Sequence, residues 1–432
     1  MRHSYGMEIV VNSQKGSIKV QFICGHDDGS YNDKIRMDKH QFRVDFQGEI
    51  SGEQIHPDHL ALAIILVANP FVGSVLNLPF AVSEQFLNST KIISRYEINF
   101  SDGHVTPYSP GPKSRPGLSF SGGADSTAAL LLMPKNSISV FMDRPLVRGL
   151  SLYNKSAAYA TIKHAQDLDY DVRIIGSDLE YLRSPLGFPS DLSPSIPLLL
   201  MSSELNVDSI AFGTVLESAY RVGHDISRDY VKSGHYRVWG GMFAAAGIPL
   251  YLPVAGISEV GTSKIVQASS FRDFTRSCIR GKWPNSCEKC WKCFRKNLVE
   301  LRINGQLLSD EKMRHWLNVK EVKSKLRSWP ISHENVLSWS LQGSNSSGFI
   351  VKSLLARLEG SVRNMDFLED WYYDSIELIP LQYRDYTVKQ ISNYLKTMKE
   401  SDTLQISTHS MVNWLESSIA MDARDSFEEL IR

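Results

Sequence analysis

Four of the five cysteines, Cys278, Cys287, Cys290 and Cys293, fall within 16 residues in the pattern C-x8-C-x2-C-x2-C. Nothing else in the sequence restricts the local fold as sharply. Four thiolates at this spacing can close a tetrahedral zinc site with Zn–S bonds of about 2.3 Å. No histidine stands among them, so all four ligands are expected to be thiolates. Such a site leaves no open coordination position and is structural. A crowded set in an otherwise cysteine-poor chain argues against a disulfide framework and for a reducing compartment, taken as cytoplasm. Cys24 stands alone beside Phe22 and Ile23 and reads as a small core residue. Arg276, Arg280, Lys282, Lys289, Lys292, Arg295 and Lys296 surround the cluster. They either offset the double negative charge of a zinc tetrathiolate or bind polyphosphate or nucleic acid.

Composition supplies bounds. The 432 residues include 47 basic and 47 acidic ones, so any attraction to nucleic acid or membrane must come from local patches. An apolar content of 42% with 22% charged residues describes a soluble globular chain, and its length predicts two or three domains. The apolar run Leu60–Ala68 falls short of the roughly 20 residues a membrane span needs and reads as a buried helix. The N-terminus lacks a secretory apolar stretch.

Period-two alternation at Ile18, Val20 and Phe22, at Phe42, Val44 and Phe46, and at Tyr96, Ile98 and Phe100 predicts a β-rich domain over 1–115, with one helix near 57–68. Residues 108–117, YSPGPKSRPG, read as a linker. Beyond it, strands at 137–142, 172–175 and 210–212 alternate with helices at 155–168 and 194–205, which predicts α/β structure with a parallel sheet over 116–300. From about 301 to 432 the pattern is mainly helical, with an aromatic cluster at Trp371, Tyr372 and Tyr373.

The stretch SGGADSTAAL begins at Ser121. A strand over 117–120, a turn at Ser121-Gly122-Gly123 and a helix from Ser126 would aim backbone N–H groups at an anion. The two glycines permit close approach and positive φ, and Ser121 and Ser126 add hydroxyls. The loop is neither a Walker A nor a G-x-G-x-x-G motif. A plain strand-to-helix turn capped by Asp125 explains the same residues. Downstream, Gly213-Thr214 ends a strand with Glu217 just beyond, where a carboxylate could hold Mg²⁺ on ATP phosphates. Lys264 could meet those phosphates.

SGGADS resembles the SGGxDS loop of the PP-loop ATP pyrophosphatases, which split ATP between its α- and β-phosphates. The resemblance implies that Ser121, Gly122, Gly123, Asp125 and Ser126, with Thr127 next on the helix, hold the pyrophosphate portion of ATP. It implies catalytic roles for Lys264, Asp125 and Ser126. Lys264 is matched to the lysine of a P-L-x-x-x-x-K element, and Glu217 loosely to a GT-x-x-x-[DE] region. The cysteine spacing is similar to that of the 7-cyano-7-deazaguanine synthases, a branch from queuosine biosynthesis. The resemblance covers about 116–297.

It implies ATP, Mg²⁺ and Zn²⁺ as cofactors, and a deazapurine-like carboxylate with ammonia or an amine as substrates. The chain departs from that branch in lacking its G-Y-P-D-C-R-like segment. SAYRVGHDIS stands in that neighbourhood, with Arg221, His224 and Asp225 as candidates to face the second substrate. Asp143, at a strand end on the adenine side, is a weaker candidate. Longer relatives of this core occur in antiviral defence operons, where the acceptor would be a protein amine and the flanking domains would meet a protein partner. Other PP-loop activities (sugar amidation, or tRNA thiolation through Cys24), an ATP-binding component without turnover, and a zinc-ribbon nucleic-acid binder stand as alternatives.

Overall fold

The computed structural model describes residues 6–31, 34–46, 48, 54–147, 151, 153–306, 308–342 and 348–432. Its strands are β1 Met7–Gln14, β2 Ser17–Ile23, β3 Ser30–Tyr31, β4 Ile35–Met37, β5 Gln41–Asp45, β6 Val75–Leu78 and β7 Glu97–Phe100. They continue with β8 Arg115–Ser119, β9 Ile138–Asp143, β10 Asp171–Ser177, β11 Arg183–Ser184, β12 Val207–Ala211 and β13 Leu250–Tyr251. Alternation placed β2, β5 and β7. In β5, Phe42 and Val44 are buried while Gln41, Arg43 and Asp45 are exposed, as a strand with one core face requires. β9 is buried along Ile138–Met142, the mark of a central strand covered on both faces.

Ten strands share one mostly parallel sheet, in the order β13-β12-β8-β9-β10-β5-β2-β1-β6-β7. Strands β8, β9, β10, β12 and β13 run parallel. β10 then meets β5 in antiparallel pairing through Gly176–Asp45 and Ser177–Val44. The sheet therefore continues from the N-terminal strands into the later ones. The expected boundary at 115/116 divides the chain but not the sheet. The expected linker is anchored at its start, where Tyr108 Oη donates to the carbonyls of Ser202 (3.2 Å) and Val207 (2.9 Å), is exposed over Gly111–Lys113, and from Arg115 is already β8.

The helices through the sheet region are α1 Pro57–Ala68, α2 Glu84–Thr90, α3 Ala124–Leu132, α4 Ser156–Asp167, α5 Ile196–Met201, α6 Leu216–Ala219, α7 Gly234–Ala245, α8 Glu259–Gln267 and α9 Trp291–Ile303. α1 is buried at every residue from Ala61 to Ala68, as an all-apolar helix inside a protein must be. The helix expected over 194–205 is the shorter α5, which begins just before Pro197. No helix among the described residues is long and apolar enough to cross a membrane.

The last third is helical: α10 Asp310–Leu317, α11 Lys320–Leu326, α12 Glu334–Gln342, α13 Phe349–Ala356, α14 Arg384–Ser392, α15 Glu400–Ile406, α16 Val412–Leu415 and α17 Ser418–Leu430. Apolar side chains of α10–α13 and α17, among them Trp316, Leu337 and Phe427, share a buried cluster with Phe294 of α9 and Cys278, Cys290 and Cys293. The segment Trp371–Tyr373 docks elsewhere. The Tyr372 amide donates to Gly256 O at 2.9 Å, just ahead of α8.

Taken in chain order, the five parallel strands from β8 onward are arranged third, second, first, fourth, fifth. The order reverses between β8 and β12. Open α/β sheets bind ligands beyond the strand carboxyl ends at such a reversal.

Candidate nucleotide cavity and metal centre

β8 ends at Ser119, and the chain turns through Phe120–Gly123 into α3 at this reversal. Gly122 takes φ +72°, and a Cβ there would come within 3.1 Å of the Ala158 backbone on α4. Both facts call for glycine. Gly123 is the N-cap and offers α3 no side chain. The hydroxyls of Ser121 and Ser126 lie 2.9 Å apart, and Ser126 Oγ donates to Gly123 O at 3.1 Å. Gly213, following β12, packs on the first turn of α3. A Cβ there would stand 2.7 Å from the Ser126 nitrogen. The turn is thus built from both sides of the reversal.

A cavity of about 370 Å³ opens in front of it. Ser121, Gly123, Asp125 and Ser126 form one wall, Phe141 and Met142 at the end of β9 a second, and Gly213-Thr214 a third. Arg276, Ser277 and Lys292 close it from the cysteine side. The lining mixes aromatic and apolar groups, Phe120, Phe141 and Met142, with the loop hydroxyls and the cations Arg276 and Lys292. Thr127 lies one residue deeper and is wholly buried.

Several expected site residues do not line the cavity: Gly122 and Thr127 stand behind it, and Glu217 and Lys264 lie elsewhere. Glu217 was expected at Mg²⁺. It is buried, and both its carboxylate oxygens accept from the Glu259 amide, at 3.2 and 3.1 Å, while Asn335 Nδ2 donates at 2.9 Å. It lines neither this cavity nor its neighbour. Burial, aided by Glu259, pushes its carboxyl up to about 7. Glu217 is a buried carboxyl acceptor for the first amide of α8, where Ser258 also accepts from Val260 and Gly261. Lys264 was expected at the phosphates. Its Nζ pairs with Glu369 at 2.7 Å, and it too lines neither cavity.

The cation near the loop is Lys296, from α9. Its Nζ is 3.0 Å from Glu259 and 3.8 Å from Asp125. Arg295 pairs with the other oxygen of Glu259, and Asp125 accepts from Thr262 Oγ1 at 2.8 Å. Burial raises the Glu259 carboxyl, but Lys296 and Arg295 outweigh it and hold the group well below the usual carboxylate range. Sequence reasoning missed Lys296 as a loop neighbour. The signal was present: P-L-x-x-x-x-K counted from Pro253-Val254 lands on Glu259, not on Lys264. An acid there needs a cation from another element.

The four cysteine sulfurs all lie within 4.8 Å of one another. A tetrahedron of 2.3 Å bonds needs sulfurs about 3.8 Å apart, and Cys287 Sγ and Cys293 Sγ are 3.7 Å apart. Amides of Gly281 and Cys287 donate to Cys278 Sγ, at 3.3 and 3.4 Å, and the Cys293 amide donates to Cys290 Sγ at 3.4 Å. N–H donors aimed at sulfur stabilise thiolate. The cluster can bind a metal such as zinc.

Several nearby cations already have partners. Arg280 pairs with Glu321 at 2.7 Å, and Arg276 donates to the carbonyls of Arg272, Thr275 and Pro284. Arg221 pairs with Asp225 at 3.0 Å, and neither these two nor His224 lines either cavity. Asp143 is held by Lys155 at 2.6 Å. Cys24 is half-buried, 3.4 Å from His40 Nδ1, and burial with Asp28 pushes its thiol up to about 11. A thiol so raised is a poor sulfur carrier at neutral pH.

Fold and site together define a mixed α/β protein with a large, mostly parallel sheet, a glycine turn at its order reversal and a four-cysteine cluster. A family model described as a family of unknown function (DUF6395) matches residues 238–410, less than half of the chain. The match takes in Glu259, Lys264, Lys296 and all four cysteines, whereas Ser121–Thr127 and Glu217 lie outside it. No curated protein and no solved structure matches the chain.

Proposed function

We propose that the protein is a PP-loop ATP pyrophosphatase that activates a carboxylate for attack by ammonia or an amine, in the manner of a 7-cyano-7-deazaguanine synthase. The observation that carries this reading is the glycine turn opening α3 at the reversal between β8 and β12, with Gly213 packed against it. The base lies toward Phe141 and Met142, and the phosphates lie toward the loop amides, Ser126, Arg276 and Lys292. A carboxylate oxygen bonds to the α-phosphorus. The bond from that phosphorus to the bridging oxygen breaks, and pyrophosphate leaves with the electron pair.

The amine then bonds to the acyl carbon, AMP departs and a proton is lost to water. The protein contributes position and preorganised charge. Zn²⁺ on Cys278, Cys287, Cys290 and Cys293 would be structural. Mg²⁺ arrives with ATP, and Glu217 is not its ligand.

The test is to incubate the protein with MgATP and 7-carboxy-7-deazaguanine, with and without ammonia. AMP and pyrophosphate in equal amounts are expected. Release of ADP and phosphate, or no turnover with any carboxylate, overturns the reading. One observation favours a second reading, an ATP-binding component without turnover: Glu259 stands where the element counted from Pro253 would carry lysine. ATP binding without AMP release would establish it.

A further inference from the structure

A second cavity, of about 220 Å³, lies behind the first. Arg276, Ser277, Cys278 and Lys292 stand in the walls of both. The Ser277 hydroxyl accepts from the Ala124 amide at 3.3 Å, so the partition is fixed to the start of α3. The new cavity lies between that start, the far half of α8, α9 and the chain leading into Cys278.

Its charge is uneven. Arg272, Arg276, Lys292 and Lys296 line it, against Glu288 and Glu300, which are exposed. Lys296 is balanced by Glu259 and Asp125. Arg272 and Lys292 have no carboxylate within 4.0 Å among the described residues. Thr275 supplies an independent observation. It lines the cavity and is only 7% exposed, yet its hydroxyl has no hydrogen-bond partner. A buried polar group left unpaired is destabilising, and native proteins keep few of them. An acceptor-rich occupant explains the orphaned donor and the surplus cations together.

We propose that this second cavity is an oxyanion site for phosphate or pyrophosphate, separate from the nucleotide cavity, with Lys292 and Thr275 among its contacts. The proposal stands on these residues and does not depend on ATP turnover. The anion binds free, beside a nucleotide in the first cavity.

The test titrates pyrophosphate into the metal-loaded protein by calorimetry, alone and with saturating α,β-methylene ATP. Pyrophosphate is expected to bind in both arms. Lys292→Met should weaken it about tenfold and Thr275→Val about threefold, as loss of a charged and a neutral hydrogen bond implies. Metal content and melting temperature check that both variants fold. Complete exclusion of pyrophosphate by the nucleotide, or unaltered affinity in Lys292→Met and Thr275→Val, overturns the proposal. If the nucleotide analogue fails to bind while pyrophosphate binds, the ATP reading falls and the oxyanion site stands.

Discussion

Helices α3 and α8 pack side by side and are joined by the Asp125–Thr262 hydrogen bond, yet their N-termini are finished in opposite ways. Both ends carry unsatisfied amides and a partial positive charge. α8 is closed from within: Ser258 caps it and the Glu217 carboxylate sits on the Glu259 amide. α3 is capped by a glycine and faces a cavity. One end has its acceptors built in, and the other opens on a cavity. A carboxylate near a strand end is therefore no guide to a metal site until the helix it serves is known. α9 gives a third solution, since its N-cap is Cys290 and the Cys293 amide donates to that sulfur.

The comparison can be broken at each end. The largest effect is expected at α9. Structural zinc contributes on the order of 10 kcal/mol in zinc-finger peptides. Here the cysteines share a buried cluster with the C-terminal helices. Chelation or Cys290→Ser should abolish the metal, about one zinc per chain by elemental analysis, and expose α10–α13 and α17 to proteolysis. Intact protection after metal loss would show that the helices fold without it.

Next is Glu217→Gln. The Glu217 carboxyl is raised above its ordinary 4.5, so charging it opposes folding. The stability it contributes is complete below pH 4.5 and lost as pH rises through about 7. The variant should match the wild type at pH 4 and exceed it by about 3 kcal/mol at pH 8 in denaturant titrations. A gain independent of pH would show that the Glu217 charge is not what costs stability.

Gly213→Ala forces a methyl group into the first turn of α3. Overpacking of this kind costs about 1–3 kcal/mol. Affinity for an ATP analogue, measured by calorimetry, should fall with it, while the metal stays bound. The smallest change is Ser258→Ala, which should cost about 1 kcal/mol in thermal unfolding, as loss of an N-cap does. It should leave nucleotide affinity untouched.

Much of this was legible in the chain. Alternation found β2, β5 and β7, an apolar run found α1, and spacing found the cysteine cluster. Glu217 and Lys264 were misplaced because the choice between cavity and neighbouring helix is made by residues far away in sequence, Glu259 with Asn335 for the first and Glu369 for the second. The bond between β10 and β5 was also beyond reach, since strand partners more than a hundred residues apart leave no local pattern.

By itself the sequence determined what is local: which segments alternate or turn, where glycine can take a positive φ, and that four thiols lie close enough to share a metal. Hydrophobic periodicity and short-range geometry act over a few residues, so a linear reading captures them. Only the tertiary structure decided which cation meets which carboxylate. Burial makes every unpaired charge costly, and Lys296 answers an acid 37 positions away at Glu259. It also decided that the start of α3 lines a cavity while the Glu259 amide of α8 meets Glu217.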